Sequence, residues 1–309
     1  MPTNVEISVF VPTIGRFDYL REALASVLKQ KALPKEIIVG FNGCHPPDWI
    51  PEFAEVVRSN GVDFFSFTNA ERLPITDSWR KGIEYARASY VTVLGDDDIF
   101  LPEFLMQGKR AIDADGVDVY GSTYLRIDDQ GVSLERDCIP LQRVSLACQR
   151  QMVTRHTQWF NSPPGIMALI FKKEIFLAAM PREAGLAFDA WTLKTMAWHG
   201  YCLTFNAEPQ VMYRVHAGAM SSIMSTQLLC DCVSGLIEFE RKFGVADFHT
   251  KRYLAGTAWR TLIKSHNIKE RRQVARIIFS RWDISFHIVA DLLRQPLVHA
   301  KRWLASVRI

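Results

Sequence analysis

Over its first 120 residues the chain alternates short β-branched runs with amphipathic helical segments, and this alternation restricts the fold more than any other feature. Glu6–Val11 is β-rich and stops at Pro12-Thr13. Arg16–Gln30 then places Leu20, Ala23, Leu24, Val27 and Leu28 on one helical face. Glu36–Phe41 predicts a second strand ended by Asn42-Gly43, Asp48–Ser59 a helix, and Val62–Phe67 a third strand. Thr76–Ala88 predicts a helix with Thr76 or Asp77 at its N-cap. Tyr90–Leu94 is a fourth strand that runs straight into Gly95-Asp96-Asp97-Asp98, Pro102 opens another helix, and Val117–Tyr120 is a fifth strand. Such alternation predicts an α/β fold with a mostly parallel, Rossmann-like sheet whose ligands gather at the carboxyl ends of the strands.

Beyond residue 120 the pattern loosens. Asp128-Asp129-Gln130-Gly131 reads as a turn, Leu141–Phe160 as a helix, Ile166–Phe171 as a strand, and Asp189–His199 as a helix after Gly185. Tyr201–Asn206 and Gln210–Val215 read as two strands. From Ile223 helical signals dominate, so the expected division is an α/β domain over residues 1–222 and a helical region over 223–309. The net charge of +4 hides an asymmetry between these parts. From Arg241 onward 15 Lys and Arg face 4 Asp and Glu, whereas the rest of the chain carries 22 basic and 29 acidic residues. Val274, Ile278, Trp282, Phe286, Val289 and Leu293 recur at helical spacing among Arg272, Arg276, Arg281 and Arg294. A basic amphipathic stretch of this kind suits an anionic membrane surface, or packs on the α/β domain or on a second subunit of a homo-oligomer. No nucleic-acid recognition motif accompanies the charge, so nucleic acid is not expected as a partner.

No apolar run approaches the roughly 20 residues that span a bilayer, and MPTNVEISVF lacks the features of a secretory signal. The six cysteines (44, 138, 148, 202, 230 and 232) form no CxxC pair. Free thiols in a reducing cytoplasm are expected, with the protein peripheral on the inner face of the membrane if the basic tail binds lipid.

The chemistry concentrates in V-T-V-L-G-D-D-D, a buried strand that delivers three adjacent carboxylates at its end. Anions this close repel one another unless a cation or basic groups neutralise them. Carboxylate and phosphate oxygens are the ligands that Mg²⁺ and Mn²⁺ prefer, and Gly95 lets backbone approach a ligand closely. The alternative is a solvated acidic loop that caps the helix opened by Pro102.

Five segments, in order, carry a resemblance. They are Ile7–Arg16 (ISVFVPTIGR), Leu24–Gly43, Asn69–Asp98 (ending SYVTVLGDDD), Gly185–Gly200 (GLAFDAWTLKTMAWHG) and Val211–Ser222 (VMYRVHAGAMSS). Together they resemble family 2 glycosyltransferases from about residue 5 to 222. The resemblance implies a GT-A catalytic domain, followed here by the helical region. It further implies a nucleoside-diphosphate sugar donor, Mn²⁺ or Mg²⁺, and inverting transfer to a saccharide or lipid-linked saccharide hydroxyl in cell-surface polysaccharide synthesis. Carried over residue by residue, it makes Asp98, then Asp96, the metal ligands, with Asp97 toward sugar or ribose. His216 would be a further ligand or a phosphate contact, or a structural histidine. Asp189 would be the base that deprotonates the acceptor, or the cap of its helix, or both. Pro12, Thr13, Arg16, Asn42, Asp77, Trp79 and Arg214 would line the donor site. Trp79 fits the core equally well, and Arg214 an ion pair.

Three departures from the family pattern matter. Phe41-Asn42-Gly43-Cys44 stands where the family often has Asp-Asp-Gly-Ser, Phe188 replaces the Glu before the base, and Gly95 replaces the first Asp of the acidic motif. Two alternatives stand: a sugar-1-phosphate nucleotidyltransferase of the same fold, against which Pro12-Thr13-Ile14-Gly15-Arg16 lacks a Gly-rich basic loop, and a degenerate, non-catalytic sugar-binding or scaffold subunit, which the missing Asp near Asn42 and Glu at Phe188 keep open.

Overall fold

The first strand, β1 (Val5–Thr13), is buried at seven of its nine positions, as expected for a strand covered on both faces. In the computed structural model, which describes residues 5–134, 165–182, 185–219, 225–244 and 268–280, β1 lies near the centre of an eight-stranded sheet. Helix α1 (Phe17–Leu28) buries the predicted face through Leu20, Ala23, Leu24 and Val27. β2 (Pro34–Asn42), α2 (Ile50–Ser59), β3 (Asp63–Asn69), α3 (Ile75–Tyr85) and β4 (Tyr90–Val93) follow. β1 pairs in parallel with β2 and β4, and β2 with β3, so four strands end at one edge. α3 approaches β1 closely at Gly82, where a Cβ would lie 2.1 Å from the Phe10 ring.

The rest of the sheet departs from the parallel expectation. After the short β5 (Ile99–Phe100) and α4 (Phe104–Asp115) come β6 (Val119–Ile127) and β7 (Leu169–Lys172). β7 inserts between β4 and β6 and runs antiparallel to both. The full order is β3-β2-β1-β4-β7-β6-β8-β5, with β8 (Leu203–Arg214) parallel to β6 and antiparallel to β5. The sheet is therefore mixed, because β7 enters from a different connection than the βα repeat that built β1 to β4.

Local readings shift for identifiable reasons. The two strands expected between Tyr201 and Val215 form the single β8, and the break seen in sequence is a register shift where Ser122 and Thr123 pair with Asn206 and Pro209. Proline has no N–H for the ladder, and an irregular register accommodates it. α3 begins at Ile75 with Pro74 in the N-cap position and no side-chain cap, so neither Thr76 nor Asp77 caps it. Ile166–Ala168 is a 3₁₀ turn rather than strand, and α5 (Lys173–Ala179), unforeseen in sequence, follows β7 directly. α6 (Phe188–Trp198) follows a second 3₁₀ turn at Gly185–Ala187. The expected helix over 141–160 and the apolar positions from Trp282 onward lie outside the described residues.

The chain divides into two compact units, Met1–Arg182 with Asp189–Ala219, and Glu183–Phe188 with Met220–Ile309. In the second unit α7 (Ser225–Phe243) and α8 (Ile268–Ser280) bury Leu236, Phe239 and Val274, and Asp231 accepts the Leu186 N–H at 2.7 Å. Arg272, Gln273 and Arg276 of α8 are exposed. No helix among the described residues is long and apolar enough to cross a membrane.

Glu36, buried on β2, couples the strands to the start of β4. Its carboxylate accepts from Ser8 Oγ at 2.7 Å, the Arg87 N–H at 2.5 Å and Arg87 Nε at 2.8 Å. Burial alone would raise its pKa; these hydrogen bonds and the Arg87 charge outweigh burial and hold it below the ordinary glutamate value. Its stabilisation is therefore complete above the unfolded-state pKa and is lost as pH falls through the lower folded-state value. Glu36→Gln is expected to lower stability at neutral pH by about 2 kcal/mol in urea unfolding, and to flatten the acid limb of stability against pH.

Candidate active site

β4 ends where the chain must leave the parallel sheet, and Leu94 N still bonds Phe10 O at 2.9 Å beside it. The turn Gly95–Asp98 closes through Asp98 N to Gly95 O at 3.1 Å, which places three carboxylates at the edge where β1, β2 and β3 also end. Gly95 is required by contact: a Cβ there would lie 2.7 Å from Asp98 Oδ2 and 2.9 Å from Asp97 Oδ1.

Each carboxylate has a different environment. Asp96 is buried; Thr13 Oγ1 donates to its Oδ2 at 2.6 Å, and Arg16 Nη2 pairs with its Oδ1. Thr13 Oγ1 also accepts the N–H of Gly15, whose φ of 109° turns the chain so that Arg16 faces the acidic turn. Asp97 Oδ2 pairs with Arg16 Nη1 and lies 3.1 Å from His216 Nε2. Asp98 accepts only the Arg214 N–H, at 3.0 Å on Oδ1, and its Oδ2 has no hydrogen-bond partner among the described residues. Burial, then the neighbouring Asp97 charge, pushes the Asp98 carboxyl well above the ordinary aspartate value, and the single N–H only partly offsets this. Burial likewise raises Asp96 against the opposing charge of Arg16 and the Thr13 hydroxyl. Arg16 is itself raised: burial would lower it, but the charges of Asp96 and Asp97 win.

Arg214, at the end of β8, is 1% exposed and acts as a brace. Its Nε donates to Asp97 O at 2.9 Å, Nη1 to Asp129 O at 3.0 Å, and Nη2 to Glu22 Oε2 at 2.6 Å. The guanidinium lies 4.5 Å over the Tyr19 ring, and Tyr19 meets His216 at 5.2 Å between centroids. Every arm of Arg214 thus holds protein rather than reaching into open space.

Of the residues singled out in the sequence, the fold brings Thr13, Arg16, Asp96, Asp97, Asp98, Arg214 and His216 into one hydrogen-bonded cluster. Asn42 is occupied elsewhere: its amide accepts Leu73 N at 2.9 Å and donates to Leu73 O at 3.0 Å, while Asn69 donates to it at 3.2 Å. Pro12 is half-buried opposite Gly40 in the sheet. Asp77 is exposed in the first turn of α3, and Trp79 is half-buried there. Asp189 lies in the first turn of α6, where its Oδ1 accepts the Ala190 N–H at 2.7 Å. Neither Asp77 nor Asp189 makes a hydrogen bond or ion pair with the acidic cluster. Burial raises the Asp189 carboxyl above its ordinary value despite bonds from backbone N–H groups.

Tyr19, Glu22 and the carbonyl of Asp129 are parts of the site that sequence reasoning missed. The Asp128–Gly131 turn was legible, but nothing in it indicated that its carbonyls would meet a guanidinium 85 residues away. Tyr124 on β6 is a further neighbour; burial raises its hydroxyl pKa, with Asp98 among the contributing charges.

The family model described as glycosyl transferase family 2 matches residues 8–176, more than half the chain and the whole of β1 to β7 except the first three residues of β1. The chain belongs to glycosyl transferase family 2. Solved structures agree on the fold. This glycosyltransferase superposes on S. aureus TarS 1-349 in complex with UDP-GlcNAc with a TM-score of 0.63 at 16% identity, over 87% of this chain and 78% of that one. TarS 1-349 in complex with UDP gives 0.64 at 17% identity, over 96% and 87%. The mannosyltransferase PcManGT from Pyrobaculum calidifontis, in complex with GDP-Man and Mn²⁺, gives 0.56 at 13% identity, over 96% and 84%. No curated protein sequence matches. The mixed sheet with its flanking helices is a GT-A fold, and Phe188, which stands where the family often has Glu, is buried in this glycosyltransferase.

Proposed function

We propose that this glycosyltransferase transfers a sugar from a nucleoside-diphosphate sugar, with a divalent cation held at the acidic turn, to a hydroxyl of a saccharide or lipid-linked saccharide. The observation that carries the reading is Asp98, a buried carboxylate with one unpartnered oxygen beside two further carboxylates at the carboxyl edge of the sheet. By residue type the donors suit the group, since carboxylate oxygens with one imidazole match Mn²⁺ and carboxylates alone match Mg²⁺, although no three of them among the described residues are arranged around one ion position. Asp98 and Asp96 would hold it, with His216 as a further ligand. Bound there, a dication would stabilise the charge that develops on the diphosphate leaving group. The complexes of TarS with UDP-GlcNAc and of PcManGT with GDP-Man and Mn²⁺ are in keeping with both halves of this reading.

The chain's own residues supply the remaining chemistry. Thr13 keeps Asp96 in one rotamer and Arg214 keeps the turn at the β4 end rigid, so the carboxylates are preorganised. Asp189 takes the proton of the acceptor hydroxyl, which attacks the anomeric carbon opposite the leaving diphosphate and inverts it. A carboxyl whose pKa is raised by burial is a stronger base than an exposed aspartate, which suits that role. Donor hydrolysis by the full chain, assayed over a panel of nucleotide sugars, is expected to require Mn²⁺ or Mg²⁺, stop in EDTA, and fall about 10² to 10³-fold in Asp98→Asn. Undiminished turnover in EDTA would refute the metal assignment.

Asp189 separates catalysis from stability. Because its folded-state pKa is raised, its contribution to stability is full below the unfolded aspartate value and is lost as pH rises through the folded one. Above that folded-state value the ionised side chain is therefore no asset to the fold. Asp189→Asn is expected to reduce transfer about 10² to 10⁴-fold with an unchanged or raised melting temperature. Full transfer activity in Asp189→Asn, whose amide oxygen can still accept the Ala190 N–H, would instead mark Asp189 as a cap.

The basic C-terminal region supports a lipid-linked acceptor on the cytoplasmic face of a membrane, since exposed Arg272 and Arg276 lie in the most basic part of the chain. The protein is expected to co-sediment with phosphatidylglycerol-containing vesicles, not with phosphatidylcholine alone, and to be released by high salt. Equal binding to both vesicle types would argue against this placement.

A further inference from the structure

A guanidinium already lies among the donor atoms that the proposed cation would take. Arg16 Nη1 contacts Asp97 Oδ2 and lies 3.3 Å from His216 Nε2, and Nη2 of the same group contacts Asp96 Oδ1. His216 Nε2 is in turn 3.1 Å from Asp97 Oδ2. Two carboxylates and an imidazole thus surround one fork of Arg16. Correspondingly, no group of three or more acidic, imidazole or thiol side chains among the described residues is arranged to hold an ion. Arg16 offsets part of the turn's negative charge.

Arg16 is held differently from Arg214. Arg214 is 1% exposed and bonded through all its nitrogens. The Arg16 side chain is 25% exposed, and its Nε has no hydrogen-bond partner among the described residues. Its backbone is anchored at the N-cap of α1, and a change of rotamer in this quarter-exposed side chain is the movement that would free the carboxylates. A guanidinium and a dication cannot share the same two carboxylates, because like charges at such separations repel strongly in a partly buried site.

We propose that Arg16 is an exchangeable counter-ion: it pairs with Asp96 and Asp97 when no donor is bound, offsetting part of their charge, and transfers to the donor's diphosphate when donor and divalent cation bind. This deepens the metal-dependent reading above and rests on it. Withdrawing Arg16 from two carboxylates leaves its charge unpaired unless an anion receives it. A cation alone is therefore opposed, whereas a cation accompanied by a diphosphate is not. The two ligands should bind with positive coupling, and that coupling should depend on Arg16.

The test measures Mn²⁺ binding by the electron paramagnetic resonance signal of free Mn²⁺. It uses EDTA-stripped full-length protein, alone and with UDP or GDP as diphosphate probes, corrected with protein-free controls. Wild type is expected to bind Mn²⁺ about 10-fold or more tightly with the diphosphate than without it. Arg16→Gln is expected to bind Mn²⁺ alone about 10-fold more tightly than wild type, with the coupling reduced by a similar factor. Arg16→Lys keeps the charge but not the two-pronged geometry and should fall between them; it carries the same comparison if Arg16→Gln does not fold. Equal affinities for Mn²⁺ alone in wild type and variant would overturn the exchange while leaving the metal site standing. No Mn²⁺ binding by wild type with either diphosphate would overturn the metal reading and the exchange together.

Discussion

Three adjacent carboxylates at the end of a buried strand repel one another and lose hydration, and the surrounding structure is arranged around that electrostatic problem. Asp96 and Asp98 are almost fully buried, and both carboxyls are pushed above their ordinary values. Thr13 from β1, Arg16 from the start of α1, and Arg214 and His216 from the end of β8 all converge on these few atoms. Their sequence separations run from 80 to more than 100 residues, so only the completed sheet brings them together. The acidic turn is therefore held by the fold and, in turn, gives the sheet edge its chemistry.

The two arginines divide the work by depth. Arg214 is an interior strut: its donors satisfy carbonyls at Asp97 and Asp129 and tie them to Glu22 on α1, and Tyr19 covers its face. A buried guanidinium with this many partners is too costly to move. Arg16, nearer the surface and bonded on one side, neutralises the carboxylates without being locked to them. On the proposed metal-dependent reading, the site would accept a dication and an anionic donor, which calls for one fixed charge and one that can be exchanged. The pairing of Asp96 and Asp97 with the more exposed arginine provides it.

The sequence made the first half of the fold legible because its strands are short, β-branched and separated by strongly amphipathic helices, so period and punctuation agree from Val5 to Val93. Legibility failed where tertiary context decides. β7 carries nothing in its four residues to say that it enters antiparallel between β4 and β6, and Pro209 looked like a strand break when it marks an irregular register in one continuous strand. At the site, the acidic triplet and the Tyr-Arg-x-His segment were readable as motifs. The partners were not. Arg214 was open to either the donor site or an ion pair, and its pairing with Glu22 depends on a contact across 192 residues. Asn42 shows the same limit: the resemblance set it at the donor site, and nothing in the sequence indicated that its amide would also bond Leu73.

On the proposed reading, the unpartnered oxygen of Asp98 completes a cation site only together with a diphosphate. Crystals soaked with Mn²⁺ and a nucleoside diphosphate, with data collected near the manganese absorption edge, address it directly. One strong anomalous peak beside the Asp98 carboxylate and the diphosphate is expected, with Arg16 withdrawn from Asp97. A peak remote from the acidic turn, or a bound diphosphate with no peak beside Asp98, would contradict it.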